Sequence, residues 1–420
     1  MNWRKTTLGE VCDEVGGIIQ TGPFGSQLHE SDYSSEGIPV VMPKDIVEGR
    51  IATNNVARVS TTHVERLSRH KLRRGDIVYG RRGDIGRQAL IRQDQEGWMC
   101  GTGCLRLSFG ESVLNPVFLH YYLRQDDVIS WITNQAVGAT MPNLNTGILR
   151  TVPVRFPPLP LQRRIASTLS PYDDLIENNT RRIQILEQMA RSLYREWFVD
   201  FRSPGYAKFK LVESPLGMIP QGWKVVPVPE AVFINPTTTV PREGVKPFVP
   251  MTSLATGSTL ITDIESREGN SGSKFRNGDT LFARITPCLE NGKTALVEFS
   301  ASDDDVAFGS TEFIVMRSRS VTPEYVYLLA RSQEFRENAI KSMTGATGRQ
   351  RVQEACFNKF LIAHPDLPRL EQFTEAIRPM FELIHCLSNK NANLRRTRDL
   401  LLPKLMSGAF DVSKLDITNP

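Results

Sequence analysis

Short strings from the first half of the chain return in the second half in the same order, and no other feature limits the possible folds as much. Leu72-Arg73-Arg74-Gly75-Asp76-Ile77-Val78-Tyr79 matches Phe275-Arg276-Asn277-Gly278-Asp279-Thr280-Leu281-Phe282, and Gly86-Arg87-Gln88-Ala89-Leu90-Ile91 matches Gly292-Lys293-Thr294-Ala295-Leu296-Val297. Gly138-Ala139-Thr140 returns as Gly345-Ala346-Thr347, and Leu159-Pro160 as Leu367-Pro368. Each match is short. Four in one order, with an offset that drifts slowly as loop insertions would cause, indicate a duplication. A chain of 420 residues is also longer than one core usually organises.

Each copy has two parts. The first is rich in Gly, Pro and β-branched residues, with turn signals such as Gly75-Asp76 and Asn277-Gly278 ahead of strand-like runs, and predicts a mixed α/β globule. The second carries an a/d heptad seam. In copy one the seam is Ile165, Leu169, Tyr172, Ile176, Asn179, Ile183, Leu186, Ala190, Leu193 and Trp197. In copy two it is Phe373, Ile377, Met380, Ile384, Leu387, Asn391, Leu394, Arg398, Leu401 and Leu405. A stripe of this kind can be ordinary core packing inside one globule. The length argues otherwise, because each helix runs about 55 Å at ~1.5 Å per residue and needs a partner for its stripe. Asn179 and Asn391 each place one polar residue in a seam, a device that fixes register.

The Pro-rich Phe156-Pro157-Pro158-Leu159-Pro160 is expected to close the first globule without being helical itself. Ser203-Pro204-Gly205 is expected to stop the first helix, and the following stretch reads as a linker until Trp223 restarts the pattern begun at Trp3. The expected spans are 1–156 for the first globule, 157–202 for the first helix and 203–222 for the linker. The second globule is expected at 223–364, the second helix at 365–410 and a tail at 411–420.

Motifs for chemistry are incomplete. Asn291-Gly292-Lys293-Thr294 resembles the end of a phosphate-binding loop, but Pro287 stands where its first Gly would fall. Asn235-Pro236 is followed by Thr237 rather than by the Pro and aromatic residue of an amino-methyltransferase loop. Pro365-Asp366 lacks the Glu-x-Lys of a nuclease site, and no glycine-rich dinucleotide fingerprint occurs. The histidines are isolated, and Asp303-Asp304-Asp305 reads as a solvated loop. Of the cysteines (Cys12, Cys100, Cys104, Cys288, Cys356, Cys386) only Cys100 and Cys104 are close, with no second pair or nearby His to complete a zinc site. No metal site and no catalytic residue are expected. The first residues carry no apolar core of a signal peptide, no run approaches membrane-spanning length, and free cysteines fit a reducing cytoplasm. The net charge of +5 permits nucleic-acid binding without requiring it.

Several strings carry a resemblance. Phe24-Gly25-Ser26-Gln27-Leu28, Arg284-Ile285-Thr286-Pro287-Cys288 with Glu290-Asn291-Gly292-Lys293, and Gly309-Ser310-Thr311-Glu312-Phe313 look like recurrent loops of target-recognition domains. Leu193-Tyr194-Arg195-Glu196-Trp197-Phe198 and Leu401-Leu402-Pro403-Lys404-Leu405 look like helix ends, and Leu216-Gly217-Met218-Ile219-Pro220-Gln221-Gly222-Trp223 like the entry to a second domain. In combination, over nearly the whole chain, they resemble the specificity subunits of type I restriction–modification enzymes. The resemblance implies an α+β chain with a pseudo-twofold repeat. Two mixed α/β target-recognition globules would be joined by two long helices in an intramolecular antiparallel coiled coil. It implies double-stranded DNA as ligand, read as a bipartite target. It also implies two modification (methyltransferase) subunits and restriction subunits as partners, with S-adenosylmethionine, ATP and Mg2+ held by those partners and not by this chain. A protein-binding scaffold and the specificity component of another restriction class are the alternatives.

Features that both halves share should be framework or phosphate contacts, and base reading should sit where the halves differ. Arg81 aligns with Arg284 and Arg87 with Lys293; these are the shared cations, with a solvated turn as the plain reading. After Gly-Ala-Thr the copies diverge, to Met141-Pro142-Asn143-Leu144-Asn145 and to Gly348-Arg349-Gln350-Arg351. Arg pairs with guanine, and Asn or Gln with adenine. Gln27, Lys44 and Arg58 in the first copy, and Arg242, Lys246 and Lys274 in the second, complete the candidate set.

Overall fold

The computed structural model describes residues 3–53, 55–83, 85–136, 143–205, 210–299, 305–346 and 348–410. The Gly138-Ala139-Thr140 string, Met141, Pro142, Thr347, Asp303, Asp304 and the tail at 411–420 lie outside them. The chain divides into two compact units, residues 1–175 with 394–420, and residues 176–393. Both long helices contribute to both units. Among the described residues no helix is long and apolar enough to cross a membrane.

The units repeat one topology. In the first, an antiparallel sheet runs in the order Ile18–Thr21, Cys104–Ser108, Ile77–Gly80, Gln88–Leu90. In the second the order is Val232–Ile234, Phe313–Ser318, Thr280–Ala283, Thr294–Leu296. A second four-stranded sheet in each unit contains one parallel pair, Ile38–Val41 with Met99–Cys100 and Val245–Val249 with Val306–Gly309. A two-stranded ribbon opens and closes each globule, Arg4–Thr7 with Pro153–Phe156 and Lys224–Pro227 with Leu361–His364.

The matched strings sit at the centre of this repeat. Ile77–Gly80 and Thr280–Ala283 are buried at every residue because each strand is covered on both faces. Ile77 and Tyr79 face one core, Val78 another; Phe282 and Leu281 divide in the same way. The turn before each strand is closed by its aspartate, with Arg73 N donating to Asp76 Oδ2 at 2.8 Å and Arg276 N to Asp279 Oδ2 at 2.9 Å. Gly75 and Gly278 have φ of +85° and +80°, which only glycine adopts without strain, and each packs on a proline (Pro116, Pro323). Both aspartates also hold an arginine from the neighbouring strand, Arg106 buried and Arg317 partly so: Arg106 Nε reaches Asp76 at 2.6 Å, and Arg317 Nε reaches Asp279 at 2.7 Å.

The long helices are Leu159–Phe198 and Leu367–Met406. Leu159 and Pro160 are therefore helical, contrary to the expectation from sequence. A proline in the first turn lacks only an N–H that has no helical partner there. The first helix ends at Phe198, ahead of Ser203-Pro204-Gly205, and Phe201 takes a left-handed φ of +55° just beyond it. The stretch expected to be a linker contains a hairpin, Leu211–Ser214 with Gly217–Pro220, whose Ile219 is buried in the core of the second unit.

Within the second unit the helices run antiparallel, since Asn179 meets Asn391 while Trp197 meets Phe373. Asn179 Nδ2 donates to Asn391 Oδ1 at 2.9 Å, and Asn391 Nδ2 reaches Ile176 O and Thr180 Oγ1, so both buried amides are partnered. Ile165, Leu169, Ile176, Ile183, Trp197, Phe373, Ile377, Ile384, Leu387 and Leu405 are buried. Tyr172, Leu186, Leu193, Met380, Leu394 and Leu401 are only half-buried. The neighbours Asp173, Glu187, Tyr194, Phe381 and Leu402 are buried instead. A helix of 3.6 residues per turn drifts against a strict 3.5-residue repeat, so the inward position slips by one residue. Two of the positions reached by that drift are polar and satisfied. Asp173 pairs with Arg398 and accepts from Tyr121 Oη at 2.7 Å and Arg124 at 3.2 Å, and Glu187 accepts from Ser258 Oγ and Thr259 N at 2.8 and 2.7 Å.

Candidate nucleic-acid interface

Beyond each buried central strand stands one of the aligned arginines, and its main chain ties three segments together. Arg81 N donates to Gly103 O at 2.8 Å and its carbonyl accepts from Leu144 N at 2.9 Å. Arg284 N donates to Glu312 O at 3.0 Å and its carbonyl accepts from Val352 N at 2.9 Å. These bonds make Gly103 equivalent to Glu312, and Asn143 equivalent to Arg351. The two divergent loops thus leave the globules from one and the same frame.

The side chains on that frame differ. Arg81 Nε donates to Asn143 Oδ1 at 3.0 Å. Arg284 turns inward, to Glu354 at 2.9 Å and to Val352 O at 3.1 Å. Lys293 Nζ donates to Met251 O at 2.9 Å, and Arg87 is exposed but not free. Arg81, Arg284 and Lys293 are thus bonded within the globules, which is the work of a framework. Arg351 forms a forked pair with Glu312, three N–O distances lying between 2.7 and 3.1 Å. That bonding holds the Glu312 carboxyl below the usual carboxylate range, against the opposing effect of burial, and raises the Arg351 guanidinium.

The remaining candidates divide between fixed and free. Asn145 caps the helix Thr146–Thr151, its Oδ1 accepting from Ile148 N at 2.9 Å. Gln27 Oε1 accepts from Phe24 N at 3.2 Å, and Arg58 donates to Gly37 O at 2.8 Å. Lys246 Nζ folds back onto Glu243 O and Gly244 O. Gln350 is half-buried, with its carbonyl taken by Thr286 N. Lys44, Arg242 and Arg349 are exposed, and their side chains make no hydrogen bond or ion pair among the described residues. Lys274 lines an open cleft of about 340 Å³ together with Asn235, Thr238, Ser273 and Arg284. Glu312, the Asp76–Arg106 and Asp279–Arg317 pairs, Asp173 and Glu187 were absent from the candidates. The shared Gly-Asp was legible as a turn, but no periodicity names its arginine partner.

The frame is thus built twice, once in each unit, and both long helices contribute to both units. A family model described as the type I restriction modification DNA specificity domain matches residues 1–188. The MjaIX type I restriction enzyme specificity subunit of Methanocaldococcus jannaschii is 23% identical over 427 residues, covering 99% of this chain and 95% of that protein. The HindI specificity subunit of Haemophilus influenzae is 21% identical and covers 97% of this chain and 99% of its own. The fold is similar to that of the type I restriction–modification S subunit from M. genitalium, with a TM-score of 0.56, 15% identity and 96% of both chains covered. Over most of its length the chain is thus similar to specificity subunits of type I restriction–modification systems.

Proposed function

We propose that each globule reads one half of a bipartite double-stranded DNA target and that the long helices set the gap and dock two modification subunits, to which restriction subunits add. The observation that carries this is the frame built twice with different fittings, Gly103 and Asn143 in one globule and Glu312 and Arg351 in the other. A common frame positions two readers alike on the phosphate backbone, and unlike side chains give each its own sequence. The chain works without chemistry of its own, in the cytoplasm. S-adenosylmethionine belongs to the modification subunits, and ATP and Mg2+ to the partners that translocate and cut.

The test is co-expression with the cognate modification subunits, followed by sequencing of methylated sites. Two short specified sequences separated by an unspecified gap of fixed length are expected. A single continuous motif, or methylation by this chain alone, would overturn the proposal. Retention of the complex on DNA should fall steeply with salt, because phosphate neutralisation releases counterions, whereas a protein-binding scaffold would show no such slope.

A further inference from the structure

The pair at Glu312 and Arg351 is the clearest difference between two otherwise matching frames. We propose, on the reading above, that Glu312 is a positioning residue which presents Arg351 to a guanine in the half-site read by the second globule. The main chain around Arg351 is pinned from two sides. Arg351 N and O bond Thr344 O and N at 2.9 and 3.0 Å, Gln350 O accepts from Thr286 N at 3.0 Å, and Val352 N reaches Arg284 O at 2.9 Å. Glu312 is fixed through its carbonyl, which accepts from Arg284 N, and its N–H, which donates to Ser310 Oγ at 3.2 Å.

Geometry then assigns the donors. A guanidinium has five N–H groups in a planar fork. Glu312 takes the Nε edge, with Nε at 2.9 Å from Oε2 and Nη2 at 2.7 Å from Oε1. The opposite end keeps the Nη1 hydrogens and the outer Nη2 hydrogen, two of which point the same way. The O6 and N7 acceptors of guanine match that end, whereas adenine offers one acceptor beside an amino donor. The Arg351 side chain is 48% exposed and Glu312 22% exposed, so the acid is the inner member and the arginine the outer.

The other globule shows that the pair is not needed to hold the frame. There the two bonds made by the main chain of the aligned arginine, Arg81 N to Gly103 O and Leu144 N to Arg81 O, stand with Gly103 in place of the acid and Asn143 in place of the arginine. Ion pairs this exposed add little to stability. What the pair does supply is a fixed orientation, which lowers the ordering cost of contact with a base edge.

The experiment maps methylated sites made by the complete complex carrying Arg351→Gln, Glu312→Gln or both. Arg351→Gln is expected to relax one guanine position of one half-site by about ten- to a hundredfold in site preference. Glu312→Gln should relax the same position by less, and the double variant should match Arg351→Gln alone, because a positioning residue has no effect once its arginine is gone. The other half-site, unchanged, reports that folding and assembly are intact. Unaltered site choice in Arg351→Gln, an effect at a base other than guanine, or additive losses in the double variant would each overturn the inference. A wild-type complex that methylates no bipartite sequence would instead overturn the reading on which it rests.

Discussion

The two globules agree in their main chains and disagree in their side chains. Gly75 N to Ile91 O and Gly278 N to Val297 O are both 2.9 Å, and the bonds that return from Ile91 and Val297 to the two aspartates are 2.8 and 2.9 Å. Yet the positions of the acid–arginine pair in one globule are held by a glycine and an asparagine in the other. Duplication has kept the main-chain frame and changed the side chains on it. On the proposed function that division suits DNA, where phosphates are alike at every step and only base edges differ.

The largest effect should come from changing what the globules share, the helices. Adding seven residues to each long helix lengthens it by ~10 Å. If the helices set the gap, methylation of the natural target should be lost, and any residual activity should appear at the same two half-sequences with about 3 more base pairs between them. Site mapping reads this directly. Unchanged spacing in a functional variant would mean that the partners set it. The insertions belong inside the helices, because Ser203 lies beyond the end of the first at Phe198.

Next comes the acid–arginine pair under each central strand. Arg106 and Asp76 are 3% and 2% exposed, whereas Arg317 is 15% exposed and also donates to Thr238 Oγ1 at 2.9 Å. Asp76→Ala strands a buried cation and should cost about 3–5 kcal/mol. Each arginine keeps one further bond, Arg106 to Arg69 O at 3.1 Å and Arg317 to Thr238, but Arg317 also reaches water, so Asp279→Ala should cost less. Denaturation of the full chain, followed by hydrogen exchange in each globule, separates the two. Equal losses would erase this difference between the globules.

Protons should act on the globules in opposite senses. Burial, with the charges of Arg69 and Arg106, lowers His70 to about 4. Its contribution is complete above pH 6.5 and is lost as the pH falls from there toward 4, because the unfolded chain then binds the proton more readily. Burial, with Glu324 and Glu382 nearby, raises Glu298 to about 7. Its contribution is present below pH 4.5 and is lost as the pH rises through about 7. Glu298→Gln should flatten the second globule's dependence between pH 4.5 and 7 and leave the first unchanged, as thermal unfolding across that range would show.

Much of this architecture was legible because periodicity and repetition are one-dimensional. The Gly-Asp turns, the buried strands behind them and both heptad stripes could be read as strings. The site was less legible. Arg81, Arg284 and Lys293 stood out by alignment, yet they are bonded inward, since a cation shared by two copies can serve the frame as readily as a phosphate. Glu312 sat in a quoted string without a role, because its partner lies 39 residues away and only the return of the chain brings Arg351 beside it. The seam slipped from Tyr172 to Asp173 and from Leu186 to Glu187 because apolar pattern alone does not reveal a buried acid whose partners lie on other elements.

The smallest effect separates a reader from a cap. Asn145 stood among the candidate base contacts, but its Oδ1 holds Ile148 N at 2.9 Å and closes the first turn of the helix Thr146–Thr151. The frame places Gln353 at the same point in the second globule, ahead of a 3-10 helix, where its side chain makes no such bond. Loss of an asparagine N-cap typically costs about 1 kcal/mol. Asn145→Ala should therefore lower the stability of the first globule by that amount and leave methylation-site choice unchanged. Gln353→Ala should cost less, since it removes no cap. An altered half-site in Asn145→Ala, with stability intact, would return Asn145 to the base-reading set. It would also show that the divergence between the loops extends past Asn143 and Arg351 into the helix that follows.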